Sequence, residues 1–192
     1  MQESPPRRRS IRLNGYDYSQ AGAYFITICS YQRRCIFGEI IDARTRLSRH
    51  GEILQAEWLR SGEIRPHLSL DAFVVMPNHV HGIVLIEPVS EPVQFAAQAA
   101  SPRRTQPAGP RAASIGSFVG GFKAAVTRRI NAIGKPIDTP VWQRNYYEHI
   151  IRSEARLSAI REYIANNPAN WAHDRQNPGT TRAQKLAANW QV

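Results

Sequence analysis

The run YFITICSY at residues 24–31 is β-branched and aromatic, and its alternation sets Phe25, Thr27 and Cys29 on one side and Tyr24, Ile26 and Ile28 on the other. It predicts a central strand. From about Arg49 to Ser61, Leu54 and Trp58 stand one helical turn apart, and Gly62 follows as a stop, which predicts a helix. The runs DAFVVM and HVHGIVLIEP then flank Pro77 and Asn78, two extended apolar stretches around a two-residue turn, and predict a β-hairpin.

Residues 87–113 change character, with five prolines, seven alanines and almost no large apolar side chains. Such a composition buries too little surface to order itself, so a flexible insertion is expected there. Helical spacing resumes with Ile115, Phe118, Val119, Phe122, Val126, Ile130 and Ile133, while Lys123, Arg128 and Arg129 lie off that stripe. VWQRNYYEHII, residues 141–151, reads as a strand. Ser153 and Glu154 then cap a helix with an inner stripe of Leu157, Ile160 and Ile164, ended by Pro168.

Strand, helix, strand, strand, helix, strand and an extra helix imply an α+β fold: a ferredoxin-like or RRM-like sandwich, an antiparallel sheet with helices on one face. The expected organisation is a basic N-terminal arm over 1–20, a folded main domain over 21–170 containing the 87–113 insertion, and a tail over 171–192 that is polar apart from Trp171 and Trp190.

Composition narrows the class. With 192 residues, 42% of them hydrophobic and 21% charged, the chain suits one globular domain with appendages rather than a disordered polymer. No apolar run reaches the roughly 18 residues of a membrane span, and the charged N-terminus is not followed by an apolar stretch, so neither a membrane nor export is expected. Two cysteines are too few for a disulfide framework or a cysteine-based zinc site, which fits a reducing, cytoplasmic setting. The formal charge is +10, and residues 101–135 hold seven basic residues without an acid. Phosphate-backbone partners are the expectation.

The candidate chemistry centres on His79 and His81. They flank Val80 on the second arm of the hairpin, so both imidazoles leave the same face of the sheet. Two neutral imidazoles so placed can hold one divalent ion, although two ordinary strand histidines would look the same and a third ligand is needed. Tyr163 and Asn167, four apart on the last helix, project from one flank: an amide oxygen suits an oxygen-tolerant coordination shell, and a phenol beside a metal is a candidate nucleophile. The alternatives at these positions are a half-buried packing tyrosine and a capping asparagine. Tyr146 and Tyr147, in the strand over 141–151, read as core or DNA-stacking aromatics.

Three segments together resemble a known family. RRRSIRLNGYDYSQAGAYFITIC at 7–29, VVMPNHVHGIVL at 74–85 and WQRNYYEHIIRSEARLSAIREYIANNP at 142–168 resemble the single-tyrosine HUH transposases, especially the REP-associated tyrosine transposases of bacteria. The resemblance spans most of residues 7–170 and fails in the insertion. It implies that His79 and His81 form the family's histidine-hydrophobic-histidine motif, that Tyr163 of the YIxxNP signature is the nucleophile, and that Asn167 is the third ligand of Mg²⁺ or Mn²⁺. It further implies a 5′-phosphotyrosine intermediate, and single-stranded or hairpin DNA at repetitive extragenic palindromes as substrate. A monomer is favoured over a homodimer. Glu148 and His149 belong to a segment the family also has, and for His149 two readings stand, a hydrogen bond behind a metal ligand or a purely structural one. Arg7, Arg8, Arg9, Arg33, Arg34, Lys123, Arg128 and Arg129 are expected phosphate or groove contacts. Two other readings belong to different classes: a hairpin DNA or RNA-binding module without chemistry, and a zinc hydrolase with a water nucleophile.

Overall fold

Strand β1 (Gly22–Cys29) is central, hydrogen-bonded on both edges. The structure, a computed structural model, describes residue 17 and residues 19–87, 113–134 and 139–180. The N-terminal arm with Arg7, Arg8 and Arg9, and nearly all of the 87–113 insertion, lie outside the described residues. After β1 come β2 (Gly38–Ile41), β3 (Arg44–Leu47), α1 (Arg49–Glu63), β4 (Leu68–Val75), β5 (His79–Ile86), α2 (Ile115–Ala132), β6 (Tyr147–Ile151) and α3 (Glu154–Asn166). The main sheet runs β4-β5-β1-β6, and every pairing in it is antiparallel. This is the expected α+β sandwich of ferredoxin-like topology.

The alternation in β1 sorts the core into two layers. Tyr24, Ile26 and Ile28, with Val80 and Val84 of β5, meet Leu54, Trp58, Phe118 and Phe122 of α1 and α2. Burying side chains of this size contributes about 1.5–3 kcal/mol each. The Trp58 indole lies directly on the sheet because Gly82 is beneath it: a β-carbon there would sit 2.2 Å from Trp58 Cζ2. On the other side, Phe25 and Ile83 pack against Ile160 and Ile164 of α3. The expectation of helices on one face therefore holds for α1 and α2, whereas α3 takes the opposite face. The reason is that β1 and β5 are apolar on both faces and need cover on both. Bidentate contacts from Arg161 to Asp71 of β4, the shortest 2.6 Å, anchor α3 on that side.

Each of the three helices starts at a serine cap, and that of α3 is the one expected from the sequence. Ser48 caps α1, Ser114 and Ser117 form a reciprocal capping box on α2, and Ser153 caps α3. Two elements differ from expectation. The ribbon β2–β3 was not signalled, since its turn, Asp42 and Ala43 at φ 48° and 58°, lacks the Asn-Gly or Asp-Gly pair such a turn usually carries. The strand expected over 141–151 is only β6. Its first half fails to form a ladder because the carbonyls of Gln143, Arg144 and Asn145 turn to the Lys123 ammonium, leaving Tyr146 before the strand and only an isolated bridge from Trp142 to Ser30.

Candidate metal and tyrosine site

His79 and His81 enter on the face covered by α3, because odd-numbered positions of β5 share the side of Phe25 and Ile83. His81 sits opposite Thr27 of β1, which pairs in turn with Tyr147 of β6. Both imidazoles are buried, at 0% and 3% exposure, and their Nε2 atoms are 2.9 Å apart. Burial holds both pKa values down, His79 well below its usual range and His81 to about 3, so both rings are neutral at physiological pH. The charge of Arg33 adds to the effect on His79.

The hydrogen bonds behind the rings fix where their protons sit. Asn78 Nδ2 donates to the carbonyls of Arg33 and Gln176, at 3.0 and 2.8 Å. Carbonyls only accept, so the amide orientation is determined and Asn78 Oδ1 is the atom 2.8 Å from His79 Nδ1. His79 must therefore carry its proton on Nδ1, leaving a bare lone pair on Nε2 aimed at His81. His81 Nδ1 meets the Thr27 hydroxyl at 2.8 Å, a group that can donate or accept. Without a cation, His81 bridges through its Nε2 proton. To hold one, His81 would shift its proton to Nδ1, where Thr27 would accept it, freeing Nε2 as a ligand beside that of His79.

Tyr163 comes to this point from α3. Its hydroxyl is 3.2 Å from His81 Nε2, and its ring packs against His81 and edge-on to Phe25. Burial first, and then the carboxylate of Asp174, push its pKa above the ordinary tyrosine value. Asn167 is the C-cap of α3, 2% exposed, and its amide hydrogen-bonds Tyr163 and Asp174, while Oδ1 is buried without a hydrogen-bond partner. The fold thus brings His79, His81, Tyr163 and Asn167 together.

Asp174 is the residue that sequence reasoning missed. It follows a 3₁₀ turn at Trp171–His173, is 5% exposed, and places Oδ2 at 3.8 Å from His79 Nε2. Burial raises its pKa, partly offset by hydrogen bonds from the Gln176 backbone and Asn167. Ligand atoms of His79, His81 and Asp174 all lie within 4.8 Å of one another, a group that can hold a metal ion. Two neutral imidazoles, a carboxylate and an orphaned amide oxygen form a mixed nitrogen and oxygen set suited to a divalent cation. Residues 171–177, assigned from sequence to a separate tail, here wall one side of the site. A lone acid in a polar stretch carries no periodic signal by which it could have been found.

The other expected contacts distribute differently. Arg33 stays beside the site, in a left-handed backbone conformation at φ 55°, with its carbonyl held by Asn78. Arg34 has Nε and Nη2 buried without a hydrogen-bond partner among the described residues. Lys123 is not a free cation on an outer face: it is largely buried under three carbonyls, and desolvation lowers its pKa to about 8. Arg128 is exposed on α2, which covers the face opposite the histidines. Arg129 pairs at 2.8 Å with Glu57, itself 4% exposed. Glu148 pairs with Ile26 across β1 and so faces α1 and α2, away from the site. His149 pairs with Phe25 on the site's face; its pKa is lowered by burial and by Arg156 and Arg152, and it makes no hydrogen bond to the histidine pair among the described residues.

A ferredoxin-like sheet with paired histidines on its central hairpin and a tyrosine on the covering helix is the arrangement that the motif resemblance to single-tyrosine HUH transposases implies. The fold agrees with a solved structure described as a REP-associated tyrosine transposase bound to a REP hairpin, with TM-score 0.54 and 19% identity over 97% of this chain and 87% of that one. The chain belongs to one family with an uncharacterized protein of Haemophilus influenzae, 44% identical over 169 residues, which are 87% of this chain and 91% of the relative. No protein-family model matches the chain. Among the described residues no helix is long and apolar enough to cross a membrane.

Proposed function

We propose that this protein is a metal-dependent transesterase that cleaves and rejoins single-stranded DNA at hairpin sequences through Tyr163. The observation that carries the reading is the Tyr163 hydroxyl 3.2 Å from Nε2 of His81, inside a buried cluster in which the Nε2 atoms of His79 and His81 are 2.9 Å apart. His79, His81, Asn167 and Asp174 would hold Mg²⁺ or Mn²⁺, which supplies Lewis-acid polarisation of the scissile phosphate when bound.

Tyr163 is held at its place by Phe25 and His81, so its oxygen needs no large search to meet a phosphate lodged there. Attack forms the tyrosine oxygen–phosphorus bond and breaks the bond from phosphorus to the 3′ oxygen. The phenolic proton leaves to solvent and the departing oxygen takes one up as a 3′-hydroxyl. Because one phosphoester replaces another, a second 3′-hydroxyl can later displace the tyrosine without ATP. Asn78 and Thr27 act by orienting the imidazoles, and the +10 charge of the chain favours a polyanionic substrate.

The test is incubation of the protein with hairpin-bearing single-stranded DNA from the flanks of its own gene and Mg²⁺ or Mn²⁺. A denaturant-resistant protein–DNA adduct is expected, lost on chelation and in Tyr163→Phe. Cleavage that persists in Tyr163→Phe without an adduct would replace this reading with a hydrolase.

A further inference from the structure

Beside the histidine pair a cleft of about 150 Å³ opens between β1 and the segment leading into β6, with Thr27, Arg33, Gln143, Asn145, Tyr146 and Tyr147 among its walls. Thr27 joins it to the site, since its hydroxyl is the group on His81 Nδ1. Ligand pockets that enclose a whole molecule span about 300–1,000 Å³, so a cleft this small receives one group of a longer substrate.

Its outer wall is built rigidly. Lys123 Nζ donates to the carbonyls of Gln143 and Asn145, at 2.8 and 3.1 Å, Trp142 Nε1 donates to the Lys123 carbonyl at 3.1 Å, and the Gln143 amide donates to the Cys29 carbonyl at 3.0 Å. The backbone is thereby occupied, and the side-chain amides of Gln143 and Asn145 make no hydrogen bond to any described residue. Tyr147 is 39% exposed, a large ring left partly open at the rim in a T-shaped contact with Phe25. An amide offers a donor and an acceptor side by side, which matches the edge of a base, and an exposed aromatic ring offers a surface on which a base can stack. Arg33 adds a positive charge to the same wall.

We propose that this cleft holds the unpaired base next to the scissile phosphate, with Gln143 and Asn145 reading its edge and so deciding which nucleotide is cut. Lys123 is a positioning residue here: it shapes the wall and touches no substrate. The inference rests on the DNA reading above.

Hairpin-bearing single strands carrying each of the four bases on either side of the cut are compared by kcat/KM for adduct formation. The wild type is expected to discriminate at one of these positions, and Gln143→Ala and Asn145→Ala each to reduce that discrimination by about 5- to 10-fold, with unchanged melting temperature. An adduct whose base preference is the same in both variants, or a wild type indifferent to both neighbouring bases, would overturn this inference alone. No adduct from the wild type on any hairpin would overturn the DNA reading and this inference with it.

Discussion

Asn78 Oδ1 stands 2.8 Å from His79 Nδ1, and because the other end of the same amide is committed to two carbonyls, this contact determines which nitrogen of His79 faces its partner histidine. The lone pair that would face a metal is thus set by a turn residue outside the candidate ligand group. Asn78→Ala is expected to lower Mn²⁺ affinity by about 10- to 100-fold in calorimetric titration. Asn78→Asp keeps an acceptor for His79 but loses the donor to Arg33 and Gln176, and should recover part of the affinity.

Asp174 makes a crossed expectation. Its carboxylate is buried with its pKa raised, so the charge costs stability when no cation is present. Asp174→Asn should raise the melting temperature of the protein in chelator and lower the further rise produced by saturating Mn²⁺. A variant less stable in chelator and unchanged in its response to Mn²⁺ would remove Asp174 from the cation site.

Much of this site was legible because its parts are periodic. Alternation put His79 and His81 on one face, and helical spacing put Tyr163 and Asn167 on one flank. The hairpin, the cap of α3 and the stripe of α2 followed equally local rules. What escaped depends on partners distant in the chain. Lys123 and Arg129 look alike as off-stripe cations, yet one is taken by the 143–145 carbonyls and the other by Glu57 of α1. Asp174 and Glu148 are single acids whose roles are set by which face or turn the fold gives them. The β2–β3 ribbon escaped because Asp-Ala is a poor signal for a turn with two positive φ angles.

Acidification should destabilise the cation-free protein. The pKa of His81 is about 3 in the folded state against 6.5 as a free side chain, so below pH 6.5 the unfolded chain takes up a proton that the folded chain refuses. Stability contributed by the neutral ring is complete above pH 6.5, falls as pH decreases, and levels off near pH 3. Between pH 7 and pH 5 the loss is about 2 kcal/mol for this group. Urea unfolding in chelator at the two pH values measures it, and His81→Gln should flatten the dependence.

Gly82 tests the packing on the other face. Gly82→Ala drives a methyl group into the Trp58 indole, with no vacant side on which to yield because Phe118 and Phe122 pack edge-on against the same ring. A loss of about 1–3 kcal/mol is expected in denaturant titration. Since the histidines face the other way, Mn²⁺ affinity of the folded fraction should change little.

The most direct measurement is peptide mapping of the covalent product. After reaction with a hairpin-bearing single strand and divalent metal, the protein is digested and the nucleotide-bearing peptide identified by mass spectrometry. The expected result is a 5′-phosphonucleotide on Tyr163, with a free 3′-hydroxyl on the released strand. The same adduct on Tyr146 or Tyr147, or cut strands with no nucleotide attached to the protein, would contradict the assignment of Tyr163 as nucleophile.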